Sequence, residues 1–166
     1  THMSKLRPPP QSLLDKYRGG DFRPLYTTSV TVRGGEGAHG RASGIAISDD
    51  GELIVELRLP VELGGTGGGT NPEQLFAAGY AACFHGALSM LAERSGLSIP
   101  EASVTATISF GRDPVDGLFA LTADVNIHLP GLEKALAEEL VRNTERLCPY
   151  SKMAQGGIES VVALTQ

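Results

Sequence analysis

The sequence predicts an α+β fold, and three observations carry that prediction. Short β-branched or alternating segments cluster at 25–59 and again at 101–129, a long apolar helical segment lies between them, and an amphipathic helical segment follows. Strands, helix, strands, helix and a closing strand make the order of an α+β protein rather than of strictly alternating βαβ units. The 166 residues fit a single domain, placed at 25–166, behind an N-terminal arm at 1–24. The arm holds Pro8-Pro9-Pro10 and Arg18-Gly19-Gly20-Asp21, which resist regular structure beyond a turn of helix at Leu13 to Tyr17. Thr1 and His2, ahead of Met3, read as a cloning remnant.

Each element has its own signal. From Leu25 to Arg33, Thr27, Thr28, Val30, Thr31 and Val32 favour a strand that Gly34-Gly35 stops. A second strand is expected from Gly40 to Ser48, a hairpin turn at Asp49-Asp50-Gly51, and a third strand over Glu52 to Leu59, where Leu53, Val55, Leu57 and Leu59 alternate with polar neighbours. Gly64 to Gly69 reads as a flexible hinge or lid; no Gly-Lys-Ser/Thr follows to make it a phosphate loop. Asn71 can cap a helix whose first position is Pro72, where the missing N–H is not needed. That helix runs toward Gly96, and residues 75 to 91 are apolar nearly all round, which predicts a central helix buried on most sides. Glu101 to Gly111 and Leu118 to Leu129 should pair as a hairpin across Asp113 to Gly117. Leu132, Ala135, Leu136, Leu140, Val141 and Leu147 recur at helical spacing until Pro149 stops the segment, and Ile158 to Leu164 is expected as a short closing strand.

Bulk properties narrow the function classes. A formal net charge of −5 and a pI near 5.3, without charge blocks, argue against nucleic acid or anionic membrane as partners. No stretch reads as approaching the roughly 18 apolar residues of a membrane span, and the N-terminus lacks a basic region followed by an apolar one, so the expected location is cytoplasmic. In a reducing compartment a cysteine pair more often means chemistry or burial than stapling. Cys83, among Ala81, Ala82 and Phe84, fits either a small core residue or a reactive thiol. Cys148, near a helix end, has weaker support as a packing residue. A bond between them would close a long loop and stabilise the fold by roughly 4 kcal/mol, so stapling stays open beside catalysis and burial. His39, His85 and His128 raise a metal reading, but Cys83 and His85 are two positions apart and do not share a helix face, so neither metal nor cofactor is expected.

The run from Thr70 through Asn71-Pro72-Glu73-Gln74-Leu75-Phe76-Ala77-Ala78-Gly79-Tyr80-Ala81-Ala82 to Cys83-Phe84 resembles the peroxidatic-cysteine signature of the organic hydroperoxide resistance family, within the OsmC superfamily. Cys148-Pro149-Tyr150-Ser151 resembles that family's resolving-cysteine segment, with a looser match from Lys152 to Gly157. The likeness spans about residues 25–164, and nothing is carried over to the arm. It implies antiparallel sheets packed around a buried central helix in an intertwined homodimer. It also implies a peroxidase that reduces alkyl and fatty-acid hydroperoxides to alcohols. Cys83 would attack as a thiolate and become a sulfenic acid, Cys148 would condense with it to a disulfide, and dihydrolipoamide or a lipoylated protein would restore the thiols.

Such chemistry needs a cation, because apolar surroundings raise a thiol pKa. The family uses an arginine, but its glycine-glycine-arginine turn is altered here to Gly34-Gly35-Glu36 with an insertion, leaving Arg33 and Arg41 as candidates. Counting back from the Asp49-Asp50 turn puts Arg41 at the family spacing; the plainer reading is a solvated strand-end arginine. Glu73 matches the family glutamate that pairs with the arginine, and is equally a first-turn acid favoured by the helix dipole. On one straight helix Glu73 and Cys83 lie about 15 Å apart, so Arg41 bridges them, or the helix breaks near Gly79, or a partner subunit supplies Glu73. Phe76, Tyr80 and Phe84 read as core, with some available to line a channel for an alkyl group. The rival functions are a thiol redox sensor or apolar-ligand-binding module, and an OsmC-like peroxidase of broader oxidant use.

Overall fold

Three antiparallel strands open the fold, each shorter than its sequence pattern. The computed structural model describes residues 15–166 apart from Gly40 and the side chain of His39. Strand β1 spans Val30–Arg33, β2 Ser43–Ser48 and β3 Ile54–Arg58, in the sheet order β1-β2-β3. This is the expected meander, with Val30 opposite Ser48 and Ile47 opposite Ile54. The Ser48 hydroxyl fixes the turn: it donates to Asp50 Oδ1 at 2.6 Å and accepts from the Leu53 N–H at 2.9 Å, while Gly51 takes a φ of +75°. Leu25 to Ser29, expected as the start of β1, is exposed and outside the ladder: past the bonds that Asp49 makes with the Ser29 carbonyl and the Thr28 hydroxyl, the chain after β2 has entered its turn. Of the expected turn of helix at Leu13 to Tyr17, Leu13 and Leu14 lie outside the described residues, and Asp15 to Tyr17 are not helical.

The glycine segment is stitched to β3. Gly65 and Gly67 donate to the carbonyls of Pro60 and Leu59, and Thr70 bridges in parallel to Leu57, exchanging bonds of 2.9 Å with Arg58 and Glu56. Asn71 is thereby set at the start of α1 (Pro72–Arg94), where its side chain accepts from the Gln74 N–H at 2.9 Å. The helix is unbroken through Gly79. That glycine serves packing instead: a Cβ there would lie 2.7 Å from the Tyr150 hydroxyl oxygen.

Burial of α1 on most sides is not what one chain achieves. Tyr80, Phe84, Ala87, Leu88 and Ala92 are buried, whereas Ala78, Ala82, His85, Gly86 and Ser89 are exposed. The expectation that no stretch suits a membrane span also fails for α1, which is long and apolar enough by length and composition. Its charges stand at the ends, at Glu73 and at Glu93-Arg94, and its middle is rich in alanine, which a search for bulky apolar runs passes over. In the fold α1 packs against β4 (Ser103–Arg112), α2 (Lys134–Leu147) and α3 (Pro149–Gly156).

Strand β4 pairs along its whole length with β5 (Phe119–His128), from Ser103 opposite His128 to Arg112 opposite Phe119, as the hairpin reading expects. Helix α2 begins where the Glu133 carboxylate accepts from the Ala135 and Leu136 N–H groups, and it buries Leu140 and Thr144. Two clusters form the core: Leu88, Ala92 and Leu140 near the end of α1, and Tyr80, Phe84 and Cys148 near its middle. Helix α3 is a departure from the sequence reading. Pro149 ends α2 but sits at the first position of a new helix, where its fixed φ helps. The expected strand at Ile158 to Leu164 is absent: the segment is irregular, and Ile158 and Val162 are 70% and 97% exposed. Among the described residues no sheet edge is paired with it.

Candidate active site

The two cysteines meet where three helices converge. Cys83 is half-buried midway along α1, and Cys148, fully enclosed, is the residue at which α2 ends and α3 begins. Pro149 forces this joint: the residue before a proline avoids helical backbone, and Cys148 takes an extended φ of −73° and ψ of 114°. The Cys148 thiol consequently leaves the α2 axis and points at α1, donating to Cys83 Sγ across 3.4 Å. Both are free thiols. Tyr80, Phe84, Val104, Val125 and Tyr150 pack around them. Phe76, Tyr80 and Tyr150 form a ring cluster with centroids 5.9 to 6.2 Å apart, and the Tyr80 hydroxyl donates to Ser151 Oγ at 3.3 Å.

Burial pushes the Cys83 thiol above its ordinary value, because the thiolate loses hydration. The Tyr150 main-chain N–H pulls the other way, and the nearby Cys148 thiol pushes further up. Tyr150 is in the first turn of α3, where N–H groups have no partner inside the helix. The sequence reading misses this donor; its one signal is Pro149 placed as a helix start.

The second half of the site is ionic. Arg41 and Glu73 form an ion pair with Nη2 and Oε1 2.5 Å apart, and the Arg41 guanidinium carbon also lies 3.6 Å from the centre of the Phe110 ring. Hydrogen bonding from Arg41 holds the Glu73 carboxyl below its ordinary range, against a smaller opposing effect of burial. Both partners belong to one chain and α1 is continuous, so the pairing needs neither a break at Gly79 nor a partner's Glu73. Among the described residues Arg41 makes no hydrogen bond to the Cys83 thiol: Arg41 meets Glu73 and Phe110, while Cys83 meets Cys148 and the Tyr150 main chain. Arg33 is exposed on β1, has no ion pair among the described residues, and lines a cavity of about 420 Å³ with Ser43 and Arg58 that includes neither cysteine. His85 and His128 are exposed, and the side chain of His39 lies outside the described residues. Among the described residues no three His, Cys, Asp or Glu side chains converge.

Two free thiols in sulfur contact, on an α+β frame whose Cys83-bearing helix also holds the Arg41–Glu73 ion pair in its first turn, are an arrangement suited to dithiol redox chemistry. Comparison with known proteins makes the class specific. The family model described as OsmC-like protein matches residues 65–162. An organic hydroperoxide resistance protein of Xanthomonas axonopodis pv. citri is 42% identical over 84% of this chain and 94% of its own length. A crystal structure described as an organic hydroperoxide resistance protein from Legionella pneumophila superposes with a TM-score of 0.71 at 41% identity, covering 81% of this chain and 93% of that one. A putative organic hydroperoxide resistance protein from Vibrio cholerae, solved with captopril in one of its active sites, gives 0.73 at 39%, covering 86% and 93%. The chain belongs to the OsmC-like family, in its organic hydroperoxide resistance branch, and is a cysteine-based peroxidase.

Proposed function

We propose that the protein reduces organic hydroperoxides, alkyl and fatty-acid, to alcohols by a two-cysteine cycle. The Cys83 thiolate attacks the terminal peroxide oxygen, the O–O bond breaks, and the alkoxide leaves as alcohol on taking a proton, which oxidises Cys83 to a sulfenic acid. The Cys148 sulfur then attacks that sulfenic sulfur, releasing water and forming the Cys83–Cys148 disulfide. An external dithiol, dihydrolipoamide or a lipoylated protein, returns both thiols by exchange and is itself oxidised to a disulfide. The observation that carries this reading is the 3.4 Å sulfur contact, within which a disulfide needs only a small closing movement. Arg41, oriented by Glu73, supplies the positive charge that the thiolate and departing oxygen require, and in the reacting complex it must reach toward Cys83. The test is turnover of cumene hydroperoxide with dihydrolipoamide. Cys83→Ser is expected to fall to background, and Cys148→Ser to consume one equivalent of peroxide and then fail to recycle; full turnover by Cys83→Ser would end the assignment.

The working unit in this reading is a cytoplasmic homodimer. Its support is the apolar surface one chain leaves uncovered: Ile45 and Ile47 on β2, Val30 and Val32 on β1, the alanine face of α1, and the segment from Ile158 to Leu164. Light scattering should give twice the chain mass at micromolar concentration.

A further inference from the structure

We propose that Phe110 is a positioning residue for the peroxide reaction, its ring face holding the Arg41 guanidinium in the orientation that pairs with Glu73. The inference rests on the reading that Arg41 serves the reaction. Arg41 lies outside any helix or strand, just before β2, with a side chain 34% exposed, so its own backbone element does little to fix it. A carboxylate contact through one nitrogen leaves the guanidinium free to swing about that contact. The Phe110 ring, 3.6 Å below the guanidinium carbon, confines it to one plane, because the negative face of the ring attracts the cation.

Phe110 is itself held firmly. It sits on β4 within a ladder paired over its full length, and it stacks on Phe119 of β5 with centroids 4.9 Å apart and ring planes 27° apart. Phe119 is cross-strand partner to Arg112, whose guanidinium lies 4.9 Å from its ring centre. The result is a row, Glu73, Arg41, Phe110, Phe119, Arg112, that ties the ion pair to the β4–β5 hairpin. An aliphatic residue at 110 would fill comparable space but offer no negative face.

The experiment measures the rate constant for oxidation of Cys83 by cumene hydroperoxide in single turnover, on the full-length reduced protein. The proteins compared are the parent, Phe110→Leu, Phe110→Tyr, Arg41→Ala and the Phe110→Leu/Arg41→Ala double variant. Phe110→Leu is expected to slow oxidation about tenfold while Phe110→Tyr, which keeps the ring face, stays within about twofold. In the Arg41→Ala background the same Leu substitution should change the rate by less than about twofold, since its effect passes through the missing guanidinium. An undiminished rate in Phe110→Leu, or an equal loss in both backgrounds, overturns the proposal while leaving the role of Arg41 intact. A parent-like rate in Arg41→Ala alone overturns the role of Arg41, and the proposal with it. Should Phe110→Leu not fold, Phe110→Met is held to the same outcomes.

Discussion

The two halves of the site are built in opposite ways. The thiols are held by helices: Cys83 inside α1 and Cys148 at the joint of α2 and α3, 65 positions apart in sequence yet in contact. The Arg41–Glu73 pair instead joins a residue after a glycine-rich loop to the first turn of α1, with 34% and 15% of the side chains exposed. The contrast teaches where each kind of requirement is met. Sulfur–sulfur chemistry needs fixed atoms within a short closing distance, and packed helices supply that. In the proposed cycle a cation that pairs with Glu73 and then reaches the substrate has to be able to move.

That comparison can be broken at several points. Forming the Cys83–Cys148 bond should stabilise the protein by about 4 kcal/mol against its reduced form, since a long loop is closed with little distortion of the helices. Urea unfolding of peroxide-treated and reduced samples measures this, and equal stability would mean the joint strains to close. Arg41→Ala should slow Cys83 oxidation about 100-fold, the scale of losing one donor to a developing oxyanion. Glu73→Gln, which keeps size and removes charge, should cost about tenfold by loosening Arg41. Arg33→Ala should change the rate less than about twofold, as expected of an exposed cation whose cavity includes neither cysteine.

The same corner carries a pH signature. Arg41 depresses the Glu73 pKa in the folded state, so the pair's contribution is present above the ordinary carboxylate value of 4.5 and is lost as pH falls through the lowered one. A carbon-NMR titration of Glu73 should find its midpoint below 4.5 in the parent and moved up in Arg41→Ala. An unmoved midpoint would mean that the ion pair is not formed in solution.

How much of this is legible in the sequence follows from the same contrast. Asn71-Pro72 marks the start of α1, and β-strand alternation and turn chemistry mark the meander and the hairpin, because those signals are local. Cys83 and Cys148 stand out through their neighbours. Arg41 is preferred over Arg33 only by counting back from Asp49-Asp50, and its contact with Phe110 depends on a meeting of distant segments that no local pattern encodes. Pro149 misleads because a proline that ends one helix is equally suited to begin the next. Ile158 to Leu164 has a strand's composition, but a strand exists only against an edge, and composition does not say whether the chain offers one. The glycines at 64–69 suggest freedom, while the backbone bonds of Thr70 tie the segment to β3.

The central claim is that Cys83 and Cys148 form one redox couple driven by organic peroxide. The most direct test is peptide mapping of the fully reduced protein after one equivalent of cumene hydroperoxide, without added dithiol. The account predicts a single intramolecular Cys83–Cys148 disulfide that dihydrolipoamide removes. Cysteines that remain reduced, or Cys83 oxidised to a stable sulfinic acid with Cys148 untouched, would contradict it.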